Sequence, residues 1–341
     1  MLKFHIPFYS SHHIHLLASA QIFAARHKIK MTVLKNSPDR SEAGGNSLML
    51  DYNNKIVFFD YSDDTVYAAN PEKFDIYFKR SLSLKENHAK NVVPLGLHLN
   101  IAGNSFSVLS KFSKDILLDK RSKVEVVRGV DLFNVLTNNS HNARSFQTMD
   151  RLKLIPTQFP VIFLTRLWDP ARNDDPEEKR RREKQNLFRT EACRIIKNNF
   201  KNAVVGIYPD YFAKKYAPDL IVPEKVQTTL NYFKLLGQSK IGIADDGLKD
   251  TPGWKIGEYA YFNKPIISTP INVIVPQFEE NINYMPLAHR TDFQSIPHIV
   301  DNLLTNTSMY DEMYQNNKRY ADTQLDPLKY FEKIIGIIDS F

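Results

Sequence analysis

The chain has one cysteine in 341 residues, Cys193, so no disulfide framework can staple it, and a reducing, cytoplasmic setting is the expectation. It also lacks any apolar run approaching the roughly 18–20 residues that cross a bilayer. The opening stretch Met1–Pro7 reads as a first strand and carries no secretory-signal pattern. No internal repeat or long low-complexity tract is present, which argues against a solenoid. Acidic residues are the scarcer sign, 38 against 45 Lys and Arg, and the net charge of +7 suits an anionic partner. Phosphate esters, a polyanionic acceptor and anionic lipid all qualify. Nucleic acid is disfavoured, because Tyr and Phe lie within apolar runs and are not interleaved with the basic ones.

What remains is the composition of a soluble globular chain, 43% hydrophobic and 24% charged, long enough for two domains. A strand over 2–8, a polar loop at 10–15, a helix over 16–26 and a strand over 28–34 make the usual start of a doubly wound domain. Strands at 47–52 and 55–60 flank Asn53 and Asn54 as a hairpin. Apolar runs at 74–79, 92–97 and 123–128 continue the α/β pattern to about Leu154. A second unit opens with a strand over 160–166. A helix follows from Asp174 to about Asn199, with an acidic cap and Pro in its first turn. Strands at 203–208 and 240–244 enclose a helix over 225–236, and helices at 296–304, 310–319 and 327–341 close the chain.

The most informative stretch is Lys240–Ser268: a buried strand, an Asp- and Gly-rich turn, a short helix from about Trp254, and a second buried strand. Strand, turn and helix in that order put a helix N-terminus at the carboxyl edge of a parallel sheet, where open α/β sheets bind ligands. Gly253 would let backbone N–H groups approach an anion, and Asp245, Asp246 and Asp250 crowd the turn. These features point to the phosphates and sugar of a nucleotide donor.

Asp250, Gly253, Glu258 and Pro265 stand at +0, +3, +8 and +15. In that spacing the stretch resembles the carboxylate-x7-Glu signature of GT-B glycosyltransferases that use nucleotide sugars. Thr165-Arg166-Leu167, at a strand end, looks like the Gly-Arg-Leu that opens their donor domain. The likeness covers roughly residues 160–340. It departs from the family pattern at Asp250 (Glu), Tyr259 (Ala), Asn263 (Gly) and Thr165 (Gly), and no Lys stands at the usual place beyond Arg166. Asn is the side chain that best tolerates the left-handed backbone Gly would supply.

The resemblance implies two Rossmann-like α/β domains facing each other across a cleft. An acceptor-side domain would span 1–155 plus a returning C-terminal helix at 326–341, and a donor domain 156–325. It implies Glu258 on the ribose, Asp250 on the donor sugar, and Arg166 with the N–H groups near Gly253 on the diphosphate, with a lean toward retention of anomeric configuration. Asp246, Gly247 and Trp254 complete the expected donor site, Trp254 by stacking. The plainer reading is a capped helix start with a structural glycine. His13, in the loop after the first strand, is the candidate catalytic base; an exposed loop is the plainer reading, and metal binding by the three histidines is not expected. Asp60, Asp63 and Asp64 lack the Asp-x-Asp spacing of a metal site and read as a polar turn. Lys79 with Arg80, and Arg128, read as solvated cations that could steer an anionic acceptor. Arg181 and Arg182, each four residues after a Glu, read as a salt-bridged exposed helix face; contact with anionic lipid is the sharper alternative.

The expected function is metal-independent transfer of a sugar from a nucleotide-sugar donor to a carbohydrate or lipid-linked glycan acceptor. The competing readings are a sugar-nucleotide epimerase of the same build and a non-catalytic nucleotide- or sugar-binding protein.

Overall fold

A computed structural model describes residues 1–36, 45–100, 105–123, 145–247, 249 and 251–341. The chain forms two α/β units, one of residues 1–148, 273–276 and 322–341, the other of residues 149–272 and 277–321.

The first unit is built on a six-stranded mixed sheet in the order β2-β1-β3-β4-β5-β6. Its strands are β1 (Leu2–Ile6), β2 (Met31–Lys35), β3 (Ser47–Tyr52), β4 (Lys55–Asp60), β5 (Ile76–Lys79) and β6 (Val92–Pro94). Only β3 runs against its neighbours; β1, β2, β4, β5 and β6 share one direction. Asn53 and Asn54 make the β3–β4 turn with φ of 49° and 62°, the left-handed pair a two-residue hairpin needs. Helix α1 (Ile14–Arg26) connects β1 to β2. The last helix of the chain, α11 (Pro327–Ser340), packs on it through Phe331 against Phe23, ring centroids 5.2 Å apart, and Tyr330 stacks on His15 at 4.3 Å. Two short helices, α2 (Ser105–Leu109) and α3 (Lys114–Leu118), complete the unit's described helices. The strand expected over 123–128, Arg128 included, lies outside the described residues apart from Lys123.

The second unit carries an all-parallel, five-stranded sheet in the order β11-β10-β9-β7-β8. The strands are β7 (Phe159–Thr165), β8 (Val204–Ile207), β9 (Ser239–Ala244), β10 (Ile266–Ser268) and β11 (Tyr284–Pro286). Helix α4 (Phe146–Lys153) spans the boundary between units, and α5 (Pro176–Asn199), α6 (Tyr211–Tyr216), α7 (Thr229–Gln238), α8 (Trp254–Tyr261), α9 (Ile296–Thr305) and α10 (Thr307–Tyr320) follow. Near-continuous apolar strands such as Ile241–Ala244 are those of a sheet covered on both faces. One face packs Val161, Phe163 and Ile241 against Phe188, Cys193 and Ile196 of α5. From β7 the chain moves outward to β8, then returns to place β9 on the other side of β7. That reversal puts a topological switch point at the carboxyl ends of β7 and β9, the place where doubly wound sheets open a crevice for ligands. No helix among the described residues is long and apolar enough to cross a membrane.

Candidate functional site

At the switch point, β7 ends in Thr165 and is followed by Arg166, and β9 ends in Ala244 and is followed by Asp245, Asp246 and Gly247. The turn after β9 folds back on itself. The Gly247 N–H donates to the Thr251 carbonyl, and Asp246 bridges to Pro252. A Cβ on Gly247 would meet the Thr251 carbonyl at 3.1 Å and the Gly253 backbone at 3.2 Å, so this tight return calls for glycine. Gly253 is different. It caps α8 in ordinary extended geometry (φ −73°), and a Cβ there would touch the protein only at 3.5 Å or beyond. The fold does not demand a glycine at 253, whereas close approach by a ligand to the first turn of α8 would. Gly253 also brings no side chain to cap that turn, which leaves the positive end of the helix dipole uncovered by a neighbouring hydroxyl or carboxylate of its own cap.

Asp245 and Asp246 are nearly inaccessible, and their carboxylates are engaged within the protein. The Arg189 guanidinium donates to Asp245 Oδ2 at 2.6 Å, with Gln185 beside it at 3.3 Å. Asp246 forms an ion pair with Arg290, and its N–H donates to Thr269 Oγ1. Arg181 Nη1 donates to the Gly247 carbonyl at 3.1 Å. Arg181, Gln185 and Arg189 are spaced by four along α5, one stripe turned toward the turn after β9. The exposed, solvated face read from the Glu–Arg spacings is therefore corrected in part. Glu178 does pair with Arg182, and also with Arg181, but both guanidiniums are largely buried and each reaches a backbone carbonyl. Asp246 and Gly247 shape the loop; the carboxylate of Asp246 is committed to Arg290.

Glu258 lies in the second turn of α8, almost buried, and Tyr232 of α7 donates its hydroxyl to Glu258 Oε2 at 2.6 Å. Tyr208, just past β8, feels the Glu258 charge as well. Burial first, then Glu258, push its hydroxyl up to about 12, opposed by Arg166. The Arg166 guanidinium itself is exposed and lies over the Tyr208 ring, 5.8 Å from its centroid. Its carbonyl accepts from Arg189, which ties the end of β7 to the turn after β9.

Lys255 is the cation that sequence reasoning passed over. It stands half-buried in the first turn of α8, near enough to Asp245, Arg189, Glu258 and Arg166 for each to act on its charge. Burial lowers its pKa, Asp245 and Glu258 oppose the shift, and the two arginines add to it. Trp254, half-buried, precedes it at the start of the helix. Asp250, assigned to the donor sugar, lies outside the described residues.

Two departures from the expected pattern find local explanations. Asn263, after the end of α8, adopts φ 59°, the left-handed conformation Asn tolerates best among residues with a side chain. Tyr259 fits because β9 carries Gly242 opposite it; a Cβ on Gly242 would come within 2.4 Å of the Tyr259 ring.

In the first unit, the carboxyl ends of β1, β4 and β5 gather a separate polar group. Asp60 and Lys79, read as a polar turn and a solvated cation, are both wholly buried and form an ion pair at 3.0 Å. Burial pushes the Asp60 carboxyl up, but Lys79 and hydrogen bonds from Ser62 and Tyr77 outweigh it and hold the carboxyl below its usual range. Arg80 pairs with Asp63. His13 is fully buried against Tyr61, ring centroids 6.2 Å apart, so its ring has no surface to offer an acceptor. His12 does reach the surface. It is half-buried, stacked on His98 at 6.0 Å, with Asp63 and Arg80 acting on its charge. Burial lowers its pKa to about 4 against the pull of Asp63, so it is a neutral base at pH 7.

No protein-family model and no curated protein matches the chain. Among solved structures it is similar to a glycosyltransferase from Rickettsia africae at 12% identity and TM-score 0.46, over 95% of this chain and 80% of that one. It is similar to Alr3699/HepE from Anabaena, solved in complex with UDP and glucose, at 9% identity and TM-score 0.46, over 99% of both chains. A further likeness is to a putative UDP-N-acetylglucosamine 2-epimerase from Listeria monocytogenes, at 12% identity and TM-score 0.43, over 99% of this chain and 96% of that one. At these values no residue correspondence follows, and the functional reading stands on the site.

Proposed function

We propose that the second unit binds a nucleotide sugar at the carboxyl ends of β7 and β9, and that the protein transfers the sugar to a carbohydrate or lipid-linked glycan. The observation that carries this reading is the meeting of opposite chemistries at one switch point. The glycine-capped first turn of α8, Arg166 and Lys255 suit a diphosphate, while Glu258 suits a polyhydroxylated sugar ring.

In the transfer, the bond from the anomeric carbon to the phosphate oxygen breaks and both its electrons leave with the nucleoside diphosphate. Positive charge grows on the sugar and negative charge on the departing oxygen. Arg166, Lys255 and the α8 N–H groups would take up that negative charge, the work a metal ion does in other designs, so no metal is invoked. Glu258 would hold the ribose hydroxyls and Trp254 would stack on base or sugar. The acceptor oxygen forms the new bond to the anomeric carbon, and its hydroxyl proton must pass to a general base. If the acceptor is lipid-linked, the exposed Arg180 and Lys184 of α5 would suit anionic headgroups.

Incubation with a panel of UDP-, GDP- and ADP-sugars tests the reaction class. Release of nucleoside diphosphate, increased by a glycan acceptor, is the expected result. A nucleotide sugar returned intact but with an inverted ring hydroxyl would assign an epimerase instead, and binding without turnover a non-catalytic protein.

A further inference from the structure

The first unit holds a cavity of about 420 Å³ between α1, the amino end of β2 and the segment that follows α2. It lies away from the carboxyl strand ends where Asp60 and Lys79 gather. That volume far exceeds the water-sized voids of a packed interior and falls within the range of small-molecule sites. The sequence makes the room: α1 lines it with Ala24 and Ala25, where longer side chains would fill it.

The backbone around the cavity is committed to the fold. The Ile29 N–H donates to the Ala24 carbonyl at 2.9 Å and closes the end of α1. The Lys30 carbonyl accepts from Leu2, and the Lys111 carbonyl from Val33. Side chains are therefore what a ligand would meet. Lys30 and Lys111 both line the cavity, and neither ammonium has an ion pair or hydrogen bond among the described residues. Thr32 adds a hydroxyl from β2. Ser110 adds another, whose proton goes to the Ser107 carbonyl at 2.8 Å, so that it has lone pairs to offer. Gln21 lines the cavity from α1, and its Oε1 is shut off from solvent with no donor among the described residues. The last torsion of a glutamine is soft, so this carboxamide can turn to meet a ligand as donor or acceptor.

We propose that this cavity binds the phosphate monoester of a small polyol, a sugar monophosphate being the simplest example. Such an ester carries close to two negative charges at neutral pH and three acceptor oxygens, which matches two ammonium groups that can only donate. A carboxylate would bring a single charge to the same two cations. Gln21, Thr32 and Ser110 supply the mixture of donors and acceptors that hydroxyl groups pair with. The ester is a ligand additional to any nucleotide sugar at β7 and β9, which belong to the other unit.

The test is calorimetric titration of the full chain with glucose 1-phosphate, glucose 6-phosphate, inorganic phosphate and glucose. Saturable binding of at least one ester is expected, with inorganic phosphate weaker and glucose not detected. Lys30→Met and Lys111→Met should each weaken the ester about tenfold, and Ala25→Phe, which fills the space from an exposed helix position, should abolish binding. Glu258→Ala should leave it unchanged. Absence of binding by both esters overturns the proposal, as does glucose or inorganic phosphate binding as tightly as the esters. Ester binding that survives the three cavity variants but falls in Glu258→Ala assigns the ligand to the proposed donor site and overturns it too.

Discussion

Lys255 illustrates what single residues contribute here. A lysine whose charge is disfavoured by burial gains when an anion arrives, because the ligand supplies the counter-charge that solvent no longer gives. With Arg166 it would make the cationic side of the proposed site, and the two should then act on phosphate and not on the base or ribose. Lys255→Met and Arg166→Met are each expected to weaken a nucleoside diphosphate about tenfold and to leave the parent nucleoside unaffected. Calorimetric titration of both ligands checks this, and equal loss for nucleoside and diphosphate would show that the substitutions had disturbed the fold. Glu258 and Arg166 came forward as candidates through the spacing of Asp250, Gly253, Glu258 and Pro265 and through Thr165-Arg166-Leu167, whose resemblance to GT-B glycosyltransferases implied their roles. Lys255 was hidden by its neighbours: between Trp254 and Ile256 it reads as part of a helix.

At the scale of elements, the alternation of strands and helices was legible because each strand of the second unit is a short, dense apolar run. The run Asp174-Asp175-Pro176 marked the start of α5, and the structure makes Asp175 the cap, its side chain accepting from the Glu177 N–H. The polar part of that helix's inward face was not legible. Beside the apolar Phe188, Cys193 and Ile196 that pack on the sheet runs a stripe of Arg181, Gln185 and Arg189, whose partners are carbonyls and a carboxylate some 56–66 positions further along the chain. In the same way the burial of Asp60 with Lys79 could not be read from either segment, since the two are 19 residues apart, Asp60 alone resembling part of a polar turn and Lys79 a solvated cation. Packing between α8 and β9 gives a direct test of element-level complementarity. Gly242→Ala should destabilise the protein by about 1–3 kcal/mol through collision with the Tyr259 ring. In a Tyr259→Ala background the same substitution should cost much less. A urea-denaturation double-mutant cycle measures the coupling, and additive effects would mean that the ring does not lie on Gly242.

For the molecule as a whole, the two units differ in what acid will do to them. The first unit buries His13 and His15 completely and His12 in part, and burial lowers the first two to about 3 and the third to about 4. In the unfolded chain these rings protonate near pH 6.5, in the folded unit only well below it. Between those values the unfolded state binds more protons, so stability is present above pH 6.5 and is lost as pH falls. The slope is about 1.4 kcal/mol per histidine per pH unit. Urea midpoints at pH 7, 6 and 5 should decline, and less so in His13→Gln; a flat profile over that range would contradict the buried, neutral histidines. The second unit's switch point, by contrast, owes its shape to ion pairs of Asp245 and Asp246 with arginines.

The central claim is that this switch point holds a nucleoside diphosphate through Glu258 and the start of α8. Its most direct measurement is isothermal titration of the intact chain with UDP, GDP and ADP, beside Glu258→Ala. Saturable binding of at least one diphosphate, weakened tenfold or more in the variant while the thermal unfolding midpoint without ligand stays near that of the wild type, is the predicted result. No binding by any of the three, or identical affinity in wild type and variant, would contradict it.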